Sequence, residues 1–313
     1  MVELHRRRRL GRSAVQVTPL GFGAATLGNL YAPVSDAQCR AAVDAAWDAG
    51  IRYFDTAPHY GLGLSERRLG AALGDRPREE FVVSTKVGRL LVDNPHPTGS
   101  DPNLFAVPDD LTRVRDYSAD GVRRSLEESL DRLGLDRVDV VLVHDPDDVV
   151  DQAVREAVPA LAALRDEGMV GAVGVGMNSW PALLRFVMES DVNVVMVAGR
   201  WTLVDRRAEP LMTAAEERGI SVLAAAAYNS GLLTRPWPAD DATFDYGPAP
   251  LAVLEQARAW ARRAERHGVT LPDLAIQFPL RHPATAAVVL GLRSPEEVAA
   301  AVDRLHRPVP DEV

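Results

Sequence analysis

Lysine is almost missing from this 313-residue chain: of 35 cationic side chains, 34 are arginine and one, Lys86, is lysine. A bias of that strength puts arginine wherever any cation will serve. Lys86 therefore marks a position suited to a compact ammonium whose pKa responds to burial, which a planar, permanently charged guanidinium does not offer. Cysteine is as scarce, and Cys39 alone excludes an internal disulfide. No apolar run approaches the ~20 residues of a membrane span. The basic block Arg6 to Arg9 has no apolar stretch behind it, so it does not read as a secretory signal. The expectation is a cytoplasmic protein, with that block a solvated N-terminal segment. Excess positive charge is absent too. A net charge of −9 and a pI near 5.3 give no footprint for nucleic acid. No metal is expected: His59, His96 and Asp145 fit no ligand spacing, and the histidines read as solvated loop residues.

What is present is a regular alternation. With 47% hydrophobic and 25% charged residues the chain has ample material for a core. Short Val-rich runs at 19–25, 51–57, 81–87, 138–144, 172–177, 192–198, 221–227 and 286–291 read as buried parallel strands. Between them, amphipathic stretches at 35–49, 64–73, 119–133, 149–167, 180–190, 208–218, 250–267 and 294–306 read as helices, with another at 271–281. Ser35 to Gln38 and Ser294 to Glu297 have the spacing of capping boxes. Gly50, Gly168 and Gly268 stand where helices should end. Eight strand–helix units predict an α/β fold, a (β/α)8 TIM barrel forming one domain over 1–313. A doubly wound sheet fits eight regular units less well. Residues 3–18 are expected to be a hairpin closing the barrel bottom. The stretches 89–118 and 228–249, rich in Pro, Asp and Gly, are expected to be long loops over the C-terminal face, where barrel active sites are built.

Three consecutive strands deliver ionisable side chains to that face. Asp55 ends one, Lys86 the next and His144 the third, and Tyr60 follows Asp55 by five residues. A tyrosine of ordinary pKa near 10 is a poor base at neutral pH. An adjacent ammonium favours its phenolate, a carboxylate holds the ammonium, and an imidazole can hydrogen-bond a substrate oxygen. Taken singly, Asp55–Lys86 also reads as a structural ion pair, and His144 as a core histidine.

The stretch Phe54-Asp55-Thr56-Ala57-Pro58-His59-Tyr60-Gly61, then Ser84-Thr85-Lys86, then Leu142-Val143-His144, resembles the catalytic tetrad of the aldo-keto reductase family in order and spacing. The likeness runs from Gly21-Phe22-Gly23 through Gly174-Val175-Gly176-Met177-Asn178 to Gly231-Leu232-Leu233 and the last helix. It implies a nicotinamide-dependent oxidoreductase with Tyr60 as acid/base, Lys86 and Asp55 tuning it, His144 orienting substrate and Asn178 holding the carboxamide. Gly23 and Ala24, at the end of the first strand, and Asp55 are expected to lie close to the cofactor. Its phosphates are expected near Ser230-Gly231 and near Gly291, Arg293 and the following helix start, a recurrent barrel phosphate site.

Glu297 stands where this family commonly has Arg or Gln, and Gly291 where it commonly has Lys. A carboxylate there suits free ribose hydroxyls and repels a 2′-phosphate, so the reading leans to NAD over NADP. Glu297 also reads as the second half of a cap with Ser294. Ala198 and Ala225 replace a glutamine and an aromatic that usually hold nicotinamide; Trp201 and Tyr228 are substitutes only if they are not core residues. The motifs around Asp55, Lys86 and His144-Asp145-Pro146-Asp147 resemble a branch oxidising the anomeric hydroxyl of aldoses of L-fucose, L-galactose or D-arabinose type, or pyridoxal. The expected partner is a small sugar or aldehyde, with the chain a monomer or small homo-oligomer. Two other classes carry forward: a lyase forming a Schiff base on Lys86, and a nucleotide-binding subunit without turnover.

Overall fold

The computed structural model describes residues 3–310. Eight parallel strands close into a barrel in chain order: Leu20–Gly23, Tyr53–Asp55, Val82–Val87, Val138–His144, Val170–Met177, Val194–Ala198, Ser221–Ala225 and Thr285–Gly291. The last pairs with the first, Val289 beside Gly21 and Gly291 beside Gly23. Helices follow the strands and pack their apolar stripes on the barrel's outer wall, where Val83, Val141, Val173, Val195 and Val288 meet Ala42, Leu126, Leu161, Leu183 and Leu211 in one buried layer. The strand and helix stretches read from periodicity are all found, within a few residues at their ends.

Side-chain caps mark four of the helix starts. Ser35, Ser118 and Ser294 side chains accept from the amides of Gln38, Gly121 and Glu297. Neither expected box closes. Glu297 reaches past Ser294 to accept from the Arg293 amide at 3.0 Å. The box that does close is Thr270–Asp273, whose carboxylate accepts from the Thr270 amide at 2.7 Å. Gly50, Gly168 and Gly268 have φ of +92°, +80° and +69°, the left-handed backbone of helix ends.

The N-terminal hairpin pairs Arg8–Arg9 with Gln16–Val17. Its Leu10 and Val17 are fully buried and join Tyr53, Val140, Met196, Leu223 and Val289 inside the barrel, closing its floor. Of the basic block, Arg6, Arg7 and Arg9 are exposed as expected, whereas Arg8 is half-buried and donates to the Thr285 carbonyl at 2.7 Å.

The 89–118 stretch is also not the loop expected. Arg89–Asp93 and Leu111–Arg115 form an antiparallel ribbon of five pairs. Its tip is folded on one carboxylate: Asp109 accepts from the amides of Thr98 and Gly99, both at 2.7 Å. Asp101 grips Arg113 with both oxygens at 2.7 Å. The 228–249 stretch carries a smaller hairpin, Thr243–Phe244 against Gly247–Pro248. Among the described residues no helix is long and apolar enough to cross a membrane.

Candidate active site

Asp55, Lys86 and His144 end neighbouring barrel strands, so register alone aims them at one point. Lys86 is 2% exposed, and its ammonium donates to Asp55 Oδ2 at 2.8 Å, the Thr56 carbonyl at 2.9 Å and Tyr60 Oη at 3.0 Å. All three of its protons are therefore engaged. Ser84 Oγ donates to the other Asp55 oxygen at 2.7 Å and is itself 3.0 Å from Tyr53 Oη. Below them Glu66, fully buried, accepts from Thr85 Oγ1 at 2.7 Å and from Arg132 at 2.6 Å.

Tyr60 is placed by backbone rather than by its side chain. Gly28 lies against the Tyr60 carbonyl group; a Cβ on Gly28 would sit 2.7 Å from the Tyr60 carbonyl carbon. Gly61, at φ +61°, packs on Gly28 in return. Nothing in local periodicity announces this contact between two loops.

His144 is 6% exposed, with its ring 5.9 Å from that of Tyr60 and nearly perpendicular to it. Its Nε2 is 3.5 Å from Asp145, and Asp145 accepts from Arg89 at 2.6 Å. His144 Nδ1 is buried with no protein partner. His59, read from sequence as a solvated loop residue, instead fits between the site and the ribbon. Its Nδ1 is 3.1 Å from Arg89, and its ring meets Phe105 edge-on at 5.4 Å and His144 at 5.6 Å. Among the described residues no group of acidic, histidine and cysteine side chains is arranged to hold a metal.

The electrostatics follow from burial. Burial opposes the Lys86 charge, but Asp55 and Tyr60 outweigh it and hold the pKa above its usual value. Burial depresses both imidazoles, assisted by Arg89: His59 falls to about 3 and His144 well below its usual range. Both are neutral at physiological pH. Tyr60 departs from the expectation. Burial raises its pKa, and the Lys86 ammonium beside it only partly offsets the rise. The net effect is a rise, so burial favours the protonated phenol over the phenolate.

A cavity of about 550 Å³ opens over these groups. Asp55, Tyr60, Lys86 and His144 line it with Gly23, Asn178 and Gly291. Ala198, Ala225 and Ala226 form one wall, and Leu30, Asn103, Leu104 and Phe105 form much of the other. The small-residue wall leaves room for a flat ring beside Asn178, which fits a nicotinamide nucleotide. Other expected cofactor residues lie elsewhere. Ala24 is buried, its carbonyl accepting from Ser65 Oγ. Ser230 and Gly231 do not line the cavity; the Ser230 hydroxyl accepts from the Tyr246 amide at 3.1 Å. Arg293 and Glu297 pair with each other at 3.4 Å. Gly21 and Gly23 are also required by their neighbours: a Cβ would strike the Tyr53 ring at 2.6 Å in one case and press the Leu290 carbonyl at 3.0 Å in the other. Trp201 packs on Phe278 and His282, and the Tyr228 hydroxyl takes a bond from Arg304, so neither faces the cavity. Besides Tyr60 and Phe105, the aromatic that does is Tyr246, which no pattern in the sequence singled out.

A closed eight-stranded parallel barrel with an ion-paired lysine and a tyrosine at its C-terminal mouth defines a class of oxidoreductase. The description "Aldo/keto reductase family" matches residues 19–313, and the chain belongs to that family of NAD(P)-dependent oxidoreductases, which need no metal. It is 46% identical over 291 residues to D-threo-aldose 1-dehydrogenase of a Pseudomonas species, covering 91% of this chain and 88% of that one. It is 37% identical to pyridoxal 4-dehydrogenase of Microbacterium luteolum, with 98% and 94% covered, and 32% identical to L-galactose dehydrogenase of Arabidopsis thaliana, with 96% and 88% covered. Among solved structures, an aldo-keto reductase of Bacillus halodurans in its holo form superposes with a TM-score of 0.76 at 26% identity, covering 98% of this chain and 93% of that one. The glycerol dehydrogenase of Gluconobacter oxydans gives 0.76 at 25% identity, with 99% and 93% covered.

Proposed function

We propose that this chain oxidises the anomeric hydroxyl of an aldose to the lactone, with NAD preferred and Tyr60 as the acid/base. The observation that carries the reading is the Asp55–Lys86–Tyr60 chain of hydrogen bonds at the cavity floor. When bound, the nicotinamide supplies the acceptor for the anomeric hydride and its two electrons. The protein manages the proton: Tyr60 Oη, as phenolate, takes it from the hydroxyl while the anomeric carbon–oxygen bond becomes a carbonyl. Lys86 stabilises the phenolate and Asp55 fixes Lys86. Neutral His144, which lines the cavity beside Tyr60, holds the reacting oxygen. In the reverse direction the Tyr60 phenol donates.

The same geometry argues against a Schiff base on Lys86. An ammonium with a raised pKa and all three protons engaged has no free lone pair with which to attack a carbonyl. Support for NAD comes from Glu297, which occupies Arg293 and the Arg293 amide and places a carboxylate beside the helix start expected to receive phosphate. Support for an aldose comes from the D-threo-aldose and L-galactose dehydrogenases to which the chain is similar.

The test is a panel of aldoses and pyridoxal, run with NAD and with NADP and followed by the absorbance of reduced cofactor. An aldose with NAD is expected to give the highest kcat/KM; pyridoxal turning over best would replace the sugar reading. Tyr60→Phe is expected to abolish turnover and leave cofactor affinity nearly intact. Near-normal turnover by that variant would overturn its assignment.

A further inference from the structure

Seven large apolar side chains are exposed among the described residues, and three of them share a second peculiarity. Tyr31, Leu104 and Tyr246 are 54%, 53% and 62% exposed, and their φ values are +65°, +68° and +66°. A left-handed backbone costs a bulky residue on the order of 1–3 kcal/mol, and an exposed side chain recovers none of it by packing. The three come from different loops, after the first, third and seventh barrel strands, yet they gather at one place. Leu104 and Tyr246 line the active-site cavity from its two walls. The Tyr31 amide donates to the Leu104 carbonyl at 2.9 Å, which seats Tyr31 beside the Leu104 side of the mouth.

Tyr246 shows the cost most clearly. Phe244 pairs with Gly247, so Asp245 and Tyr246 form a two-residue hairpin turn, and both have positive φ. Such turns favour Asn-Gly or Asp-Gly, because the second position is free of strain only for glycine. Here it carries a tyrosine. The turn is pinned on both sides: Asp245 pairs with Arg200 at 2.7 Å, and the Tyr246 amide donates to Ser230. The Tyr246 hydroxyl is bonded by the Asn178 side chain. Strain retained at an exposed aromatic over a cavity is accounted for by a ligand that covers it.

We propose that Tyr31, Leu104 and Tyr246 form an apolar collar at the cavity mouth that grips the flat carbon–hydrogen face of a cyclic substrate, making the ring form of the sugar, rather than its open chain, what the site selects. The polar groups below the collar (His59, Asn103 and Asp145) then face the ring's hydroxyl edge. This inference rests on the aldose reading above. It adds that recognition is through a face, which a short open-chain aldehyde does not possess.

Glycine is the diagnostic replacement, because it relieves the backbone while deleting the side chain. Tyr246→Gly and Leu104→Gly are each expected to raise the KM for the aldose about three- to tenfold, the scale of one aromatic or apolar contact. For Leu104→Gly, kcat should stay within about twofold of the parent. For that variant cofactor Kd, measured by calorimetry without substrate, should not change, nor should KM for reduction of a short open-chain aldehyde; Tyr246→Gly also removes a partner of Asn178 and is read on the aldose KM alone. Tm should hold or rise. Tyr246→Phe, which keeps the face, should retain the parental KM. A drop in Tm on glycine substitution would make the residues structural, and an unchanged aldose KM would remove the collar. A weakened cofactor Kd would make the collar a cofactor clamp; each of these results overturns the proposal. If the parent turns over no aldose at all, it is the functional reading that fails instead.

Discussion

Lys86→Arg tests whether the site needs an ammonium or only a cation. The substitution keeps the charge in a protein otherwise built with arginine, so its effect isolates shape. Lys86 is 2% exposed, and its three donors meet acceptors at 2.8, 2.9 and 3.0 Å in three directions. A planar guanidinium can satisfy both Asp55 oxygens, but it then lies in the carboxylate plane and its remaining donors are fixed by that plane. One Asp55 oxygen already serves Ser84. Space is limited as well, since Lys86 is almost wholly enclosed and a guanidinium is bulkier than an ammonium. Overpacking of this kind costs about 1–3 kcal/mol of stability. Losing the charge-assisted bond to Tyr60 costs about 1.5–3 kcal/mol. If that bond is made fully only to the phenolate, the loss appears in kcat as about ten- to 150-fold. Steady-state kinetics in the oxidative direction, with calorimetric cofactor binding and Tm, separates the terms. The expectation is a large fall in kcat, a lowered Tm and near-parental cofactor Kd. A kcat within about twofold of the parent would refute the argument that the ammonium's geometry matters.

The remaining predictions follow from the same site. Because Tyr60 sits above its ordinary pKa and acts as a base in oxidation, kcat/KM for the aldose should climb from pH 7 to 9.5 without a plateau; a plateau near neutrality would show that the phenolate forms far more easily than burial allows. No acid limb near pH 6.5 is expected, since His59 and His144 are both held neutral well below that value. Glu297→Gln keeps an acceptor for the Arg293 amide but removes the charge. It should shift selectivity toward NADP by about tenfold, the scale of one charge-assisted bond gained by the 2′-phosphate, and an unmoved NADP/NAD ratio of kcat/KM would leave Glu297 as a helix cap only. Arg132→Leu leaves the Glu66 carboxylate buried with only hydroxyl partners, Thr85 and Ser129, and should cost about 3–5 kcal/mol in urea unfolding; a loss below about 1 kcal/mol would mean the carboxylate is readily protonated in place.

The barrel was legible because each buried strand is an apolar run and each helix a periodic one, and strand ends carry their own chemistry. Asp55, Lys86 and His144 could be placed by counting to the end of a run. Tyr60 was found by its resemblance and spacing, but the contact that seats it, Gly28 on Gly61, joins loops 33 positions apart and leaves no local trace. The ribbon at 89–93 and 111–115 was hidden because its tip is rich in Pro, Asp and Gly. What orders that tip is Asp109 gathering amides from Thr98 and Gly99, a long-range act of a side chain with no pattern of its own. Tyr60's raised pKa was misjudged for a related reason. The charge partner is written in the sequence, whereas the depth at which the pair is buried is a property of the packed barrel. The assignments at Ala24, Ser230 and Gly231 rest on family position; in the structure the Ala24 carbonyl accepts from Ser65, Ser230 bonds Thr243 and Tyr246, and the Gly231 carbonyl accepts from Thr234.

The hairpin that buries Leu10 and Val17 in the barrel floor has a kinetic corollary. With that end filled by packed side chains, both ligands approach the cavity from the C-terminal mouth. A substrate seated above the nicotinamide is then expected to bind second and its product to leave first, an order that product-inhibition patterns would check.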